Sequence, residues 1–131
     1  MNLSNLMSFF EESMSAEEFA QIINNEVDIY KKACSKVGAS AEVMFFDNAN
    51  QKIEIDKKRL LLICCSYLND ALTEWDIYYI CDALLLSEQI IFLSEDIREA
   101  IEEMTDPTVN GELTKERAAN IGKTFSNQRA G

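Results

Sequence analysis

Residues Asp56–Phe92 read DKKRLLLICCSYLNDALTEWDIYYICDALLLSEQIIF and contain the longest apolar runs of the 131-residue chain, its single Trp and three of its four Tyr. Leu60, Leu61, Cys64, Tyr67, Leu68 and Ala71 recur at the three- and four-residue spacing of one helical face, and Leu62, Ile63 and Cys65 carry apolar character most of the way round. A helix apolar on nearly all sides belongs at the centre of a domain. Asn69 and Asp70 interrupt the pattern. Thr73 then stands as an N-cap with a carboxylate, Asp76, at N3, and Leu72 and Ile77 occupy the two positions of a hydrophobic staple, so a second helix starts at about Glu74. Its inward stripe is Ile77, Ile80, Cys81 and Leu84. Trp75, Tyr79 and Asp82 share an adjacent face at i, i+4 and i+7.

Upstream, Leu3, Leu6, Met7 and Phe10 make a short helical face that ends at Ser13. Ser15 and Glu18 form a capping box, with Met14 and Phe19 at the staple positions, and open a longer helix. Phe19, Ile22, Ile23, Val27, Tyr30, Cys34 and Val37 form its stripe, which stops at Gly38. The helical period is lost from Ala41 to Ile55, where Val43–Phe46 and Ile53–Ile55 flank the turn formers Asp47, Asn48, Ala49 and Asn50, so a small hairpin or a packed loop fits. Asp56 caps the central helix, although Lys57, Lys58 and Arg59 in its first turn oppose the helix dipole and call for an acidic neighbour or partner.

Downstream, Ile90–Leu93 reads as a short strand or a buried connection. Ser94 caps a helix with Ile97, Ala100, Ile101 and Met104 as its stripe, Asp106-Pro107 ends it, and Asn110-Gly111 makes a turn. Thr114 caps a last helix packed through Ala118, Ile121 and Phe125. The expected fold is all-α, mostly helical, with about five to six helices in one compact domain over 1–131, a small β-hairpin accommodated near 43–55, and no reason for order in the tail 126–131.

Charge narrows the function. The chain carries 23 acidic and 12 basic residues, net −11, and Asp70–Asp106 alone holds eleven acidic side chains against one basic, Arg98. Such a field repels nucleic acid and anionic membranes and attracts a basic partner. No run of about 18 apolar residues could span a bilayer, and MNLSNLMSFFEES lacks the basic start of a signal peptide, so a cytosolic (cytoplasmic) protein is expected.

Catalytic chemistry has little to work with. The chain has no His, so Cys and Ser nucleophiles lack their usual base. Cys34, Cys64, Cys65 and Cys81 form no CxxC pair and fall on apolar helical patterns, which reads as four buried reduced thiols rather than a zinc site. Asp47–Asn50 lacks the ligand order of a calcium loop, and no Gly-rich phosphate loop is present. The carboxylates Glu95, Asp96, Glu99, Glu102 and Glu103 lie opposite Ile97 and Ile101, where a solvated helix face belongs, rather than as an acid/base pair. No catalytic, metal or cofactor residues are therefore assigned. Trp75, Tyr78 and Tyr79 read either as core residues filling space around the central helix or, beside carboxylates, as a hot spot for a basic protein, and the surrounding charge selects the second for part of this face, so the partner-binding candidates are Trp75, Tyr79, Asp82, Glu95, Asp96, Glu99 and Glu103.

Four segments between Ile53 and Thr114 carry a family likeness: I-x-I-D-K (Ile53–Lys57), C-x-x-Y-L (Cys64–Leu68), L-T-E-W-D-x-x-Y-I-x-D-A-L-x-L-S (Leu72–Ser87) and D-P-x-V-N-G-x-L-T (Asp106–Thr114). Over about half of the chain it resembles a helical immunity-protein family of bacterial polymorphic toxin systems, including contact-dependent growth inhibition. The resemblance implies a cytosolic antidote that binds the C-terminal nuclease domain of a secreted toxin, an RNase by expectation, and blocks its active site. Residues 1–52 carry none of this likeness. The alternative from another class is an acidic nucleic-acid mimic or helical adaptor of the phage counter-defence type. An enzyme would be a third class.

Overall fold

The computed structural model describes residues 1–35, 51–105 and 107–126. The helices are α1 (Leu3–Phe10), α2 (Ala16–Cys34), α3 (Lys57–Leu68), α4 (Glu74–Leu86), α5 (Glu95–Glu103), the single turn α6 (Pro107–Asn110) and α7 (Lys115–Ser126). Two short strands, β1 (Ile53–Ile55) and β2 (Ile90–Phe92), complete the described residues. The fold is mostly helical and is built around one continuous apolar core.

Local chemistry sets the helix starts. Ser15, Asp56, Thr73 and Ser94 each accept a hydrogen bond from the backbone N–H three residues on, and Thr114 does the same for Arg117. At α4 the box is reciprocal: Asp76 N–H donates to the Thr73 hydroxyl at 3.2 Å, and Thr73 N–H donates to the Asp76 carboxylate at 2.9 Å. The chain leaves α3 through Asp70 at φ 67° and turns at Gly111 at φ 75°, the left-handed conformation that Gly adopts freely and Asp tolerates. The α5 stripe of Ile97, Ala100, Ile101 and Met104 is buried as expected, as are Ala118, Ile121 and Phe125 on α7.

The strands pair in a way that the sequence reading did not specify. Ile53–Ile55 pairs in parallel with Ile90–Phe92, in the register Ile53↔Ile90, Glu54↔Ile91 and Ile55↔Phe92. Parallel strands need a long crossover, and here it is the α3–α4 helix pair, so the stretch quoted first is the connection that closes a two-stranded sheet. The other half of the expected hairpin, Val43–Phe46 with its turn, lies outside the described residues. So do Val37 and Gly38 at the expected end of α2, Asp106, and the tail after Ser126.

The centre of the core is α4 rather than α3. Eight of the 13 residues of α4 are buried, Asp76 among them, against five of the 12 of α3. α4 packs on α2 and α5, while α3 packs mainly on α7 and leaves an outer arc open. That arc carries Cys65, which is exposed; Cys34 is half-buried, and only Cys64 and Cys81 are buried among the four free thiols. Ile22 on α2 and Leu68 on α3, both expected inside, are also exposed. Among the described residues Arg59 pairs with no carboxylate; its guanidinium donates to the Glu54 carbonyl at 2.8 Å and lies 5.4 Å from the Phe10 ring. Among the described residues this side-chain donation and ring contact hold the Arg59 cation at the start of α3.

Candidate protein-binding surface

The proposed aromatic face is divided by the packing of α4 on α2. Tyr79 is buried, and its hydroxyl donates to Glu26 Oε1 at 2.6 Å; the same carboxylate oxygen accepts from the Met1 ammonium, also at 2.6 Å. Tyr30 is buried too and donates its hydroxyl to the Asp82 carboxylate. Two tyrosine–carboxylate bonds thus tie α2 to α4. Burial, followed by the adjacent carboxylate, holds both phenols well above their ordinary range. Tyr79 therefore does not stand on the outer surface, and Asp82 is engaged within the fold.

Trp75 is half-buried at the surface. Its ring meets Tyr78 edge-on, with centroids 5.1 Å apart, and meets Tyr30 at 6.3 Å, which fixes its plane. It forms one wall of a groove of about 580 Å³ between α2 and the start of α4, lined also by Asn24, Asp28, Lys31 and Glu74. The Lys31 ammonium sits 5.7 Å from the Trp75 centroid, so the ring face already accepts a cation. Asp76, at the groove's inner edge, is buried in its capping box; burial raises its carboxyl pKa, and the bonds from Thr73 oppose the rise.

The acidic candidates on α5 also separate. Asp96, Glu99 and Glu103 line a second groove, of about 340 Å³, whose other wall and floor are Ala100, Ile121, Thr124 and Phe125. Glu95 stands apart and pairs with Arg98 at 3.7 Å, and Arg98 also reaches Glu102 at 3.4 Å. Glu103 has Arg117 at 3.8 Å. Asp96 and Glu99 have no ion-pair partner among the described residues. Like charges at helical i+3 and i+4 spacing cost roughly 0.2–0.5 kcal/mol per pair, so this face is electrostatically unfavourable by itself. A cation whose stem lies on Ile121 and Phe125 would relieve it.

Sequence patterning placed Ile121 and Phe125 in the core without revealing that their edges floor a groove beside α5. Nothing local marked Asn24, Asp28 or Lys31 either, because they join the site only when α2 meets the start of α4. Among the described residues there is no cluster of three or more His, Cys, Asp or Glu side chains that could hold a metal ion, and no helix long and apolar enough to cross a membrane. No protein-family model matches the chain, and no curated protein and no solved structure matches it.

Proposed function

We propose that this chain is an immunity protein that neutralises a basic nuclease toxin domain, an RNase in the first instance, by masking its phosphate-binding surface in a contact-dependent growth inhibition system. The observation that carries the reading is the row Asp96, Glu99 and Glu103 over an apolar floor, in a chain of net charge −11. A nuclease groove must be basic to hold phosphates, and carboxylates over an apolar floor suit its Arg and Lys side chains, whose stems are apolar and whose heads are charged. The Trp75 groove supplies a second cation-accepting surface. The motif likeness between Ile53 and Thr114 supports the same reading. Inhibition of this kind is stoichiometric and leaves the nuclease covalently unchanged. Steering by complementary charge would speed encounter, which matters for an antidote acting in the cytoplasm against an incoming toxin.

The test is kinetic. Glu99→Lys with Glu103→Lys, measured against the nuclease domain encoded beside this chain, should slow association and flatten its dependence on salt, with the melting transition unchanged. Trp75→Ala should instead raise the dissociation rate, by about 2 kcal/mol if the ring is a desolvated anchor. Displacement of DNA or RNA from an unrelated host protein, without nuclease binding, would favour a nucleic-acid mimic. Catalytic inactivation of excess nuclease would replace the binding mechanism altogether.

A further inference from the structure

A third groove, of about 400 Å³, runs between α3 and α7 and shares no lining residue with the two described above. Its walls are Leu61, Cys64, Cys65 and Leu68 from one face of α3, and Ala119 and Gly122 from α7. Among the described residues its lining holds a single charge, Lys123, and no carboxylate, in a chain with 23 acidic residues. Gly122 lies within α7 in helical conformation, where Gly is a poor helix former. A β-carbon there would meet nothing within 4 Å, so packing inside the fold does not call for Gly. The absent side chain instead keeps the groove open to something from outside the chain. α7 runs antiparallel to α3, because Lys115 at its start bonds Asp70, just past the end of α3, at 2.7 Å. Lys123 therefore lies toward the start of α3, where Lys58 stands one turn before Leu61 on the same face. Lys58 and Lys123 are exposed and have no ion-pair partner among the described residues. Nearby carboxylates do not neutralise this end: Asp56 is engaged by the Arg59 N–H at 2.8 Å, while Asp70, held by Lys115, and Glu116 stand at the other end.

We infer that the α3–α7 groove binds a monomeric anionic amphiphile, a long-chain carboxylate whose alkyl chain lies on Leu61, Cys65 and Leu68 and whose head meets Lys123 and Lys58. Small-molecule sites are usually concavities of about 300–1,000 Å³ with apolar walls and a few convergent polar groups, and this groove has that form. Its apolar body suits an alkyl chain, and its cationic end selects the sign of the head group. Salt screens exposed charges beyond about 10 Å, so the nearest ammoniums outweigh the net charge of −11 for a ligand seated here. The site is independent of the acidic α5 face and goes beyond the nuclease reading.

The test titrates the full chain with decanoate below its micelle concentration, and with uncharged decanol as control, by calorimetry and by thiol labelling. Saturating decanoate should slow labelling of the exposed Cys65 about tenfold or more, while Cys34, outside the groove, keeps its rate. Decanol should bind about tenfold more weakly, and Lys123→Glu should weaken decanoate to a similar degree with the melting transition unchanged. Gly122→Leu fills the groove with a better helix former, so it should abolish decanoate binding without lowering the melting temperature. Glu99→Lys with Glu103→Lys should leave binding within about twofold. No binding, equal binding of decanol, or full binding by Gly122→Leu would overturn the inference. So would protection of Cys65 that grows with protein concentration in the absence of amphiphile, which would assign the groove to a second copy. Association with vesicles of anionic lipid without binding of monomeric decanoate would overturn it in favour of a membrane surface. None of these readouts involves a nuclease, so failure here leaves the proposed function standing, and the reverse holds.

Discussion

The Tyr78 hydroxyl accepts a hydrogen bond from the backbone N–H of Leu113 at 2.8 Å. The carbonyl of the same Leu113 accepts from the Tyr67 hydroxyl at 3.1 Å. One residue of the segment before α7 is thereby held on both backbone groups by tyrosines from α4 and α3. This joins α3, α4 and the segment before α7. Lys115 adds to the clamp: its ammonium donates to the Tyr67 carbonyl and, at 2.7 Å, to Asp70, at the end of α3 where a helix dipole favours positive charge.

Replacing Tyr78 by Phe should cost about 1–3 kcal/mol, because it leaves a buried N–H without a partner. Tyr67→Phe removes a donor from a carbonyl and should cost less, about 0.5–1.5 kcal/mol. Urea denaturation of both variants would check the order. An equal or reversed effect would show that the clamp does not hold the segment before α7.

Thiol labelling should proceed in a fixed order. Cys65 is exposed and should react first, Cys34 is half-buried and should follow, and Cys64 and Cys81 are buried and should wait for opening of the fold. Burial pushes the Cys64 thiol up to about 12, which further slows its reaction. Cys64→Asp should unfold the domain, since an unpaired buried charge costs several kcal/mol, about the whole stability margin of a small domain. Mass spectrometry against reagent time gives the order, and fast reaction at Cys64 would contradict the packing of α3 on α7.

All four tyrosines have pKa values raised above the ordinary 10.0, in each case first by burial. Below that value their protonated forms give their full contribution to folding. Above it the unfolded chain sheds protons that the folded chain keeps, so stability falls as pH rises. Tyrosinate absorbance should therefore appear together with loss of helix rather than near pH 10. A simple titration near pH 10 with helicity intact would place the phenols in solvent.

Thr73→Ala should destabilise α4 by about 1 kcal/mol, since it removes the N-cap while the start of the helix stays in place. A change in Trp fluorescence should accompany it, because Thr73 and Glu74 line the groove beside the Trp75 ring.

Much of this was legible along the chain, because a cap or an amphipathic stripe is decided by neighbours three and four residues away. Ser15, Asp56, Thr73, Ser94 and Thr114 each begin the helix their chemistry specifies, and the α5 and α7 stripes are buried. Charge was equally legible, since net −11 is a sum and needs no fold. What the chain alone did not determine is which apolar helix lies at the centre. α3 reads as apolar nearly all round and α4 as a striped helix, and only the packing of α2 and α5 on α4 buried α4 more deeply and left Cys65 outside. The pairing of β1 with β2 across two intervening helices was likewise a tertiary decision, since a three-residue strand carries no mark of a partner so far along the chain. Tyr79 and Asp82 were drawn inward for the same reason. A polar tip on a helix face is a surface feature only until another helix brings a partner to it, and α2 brought Glu26 and Tyr30.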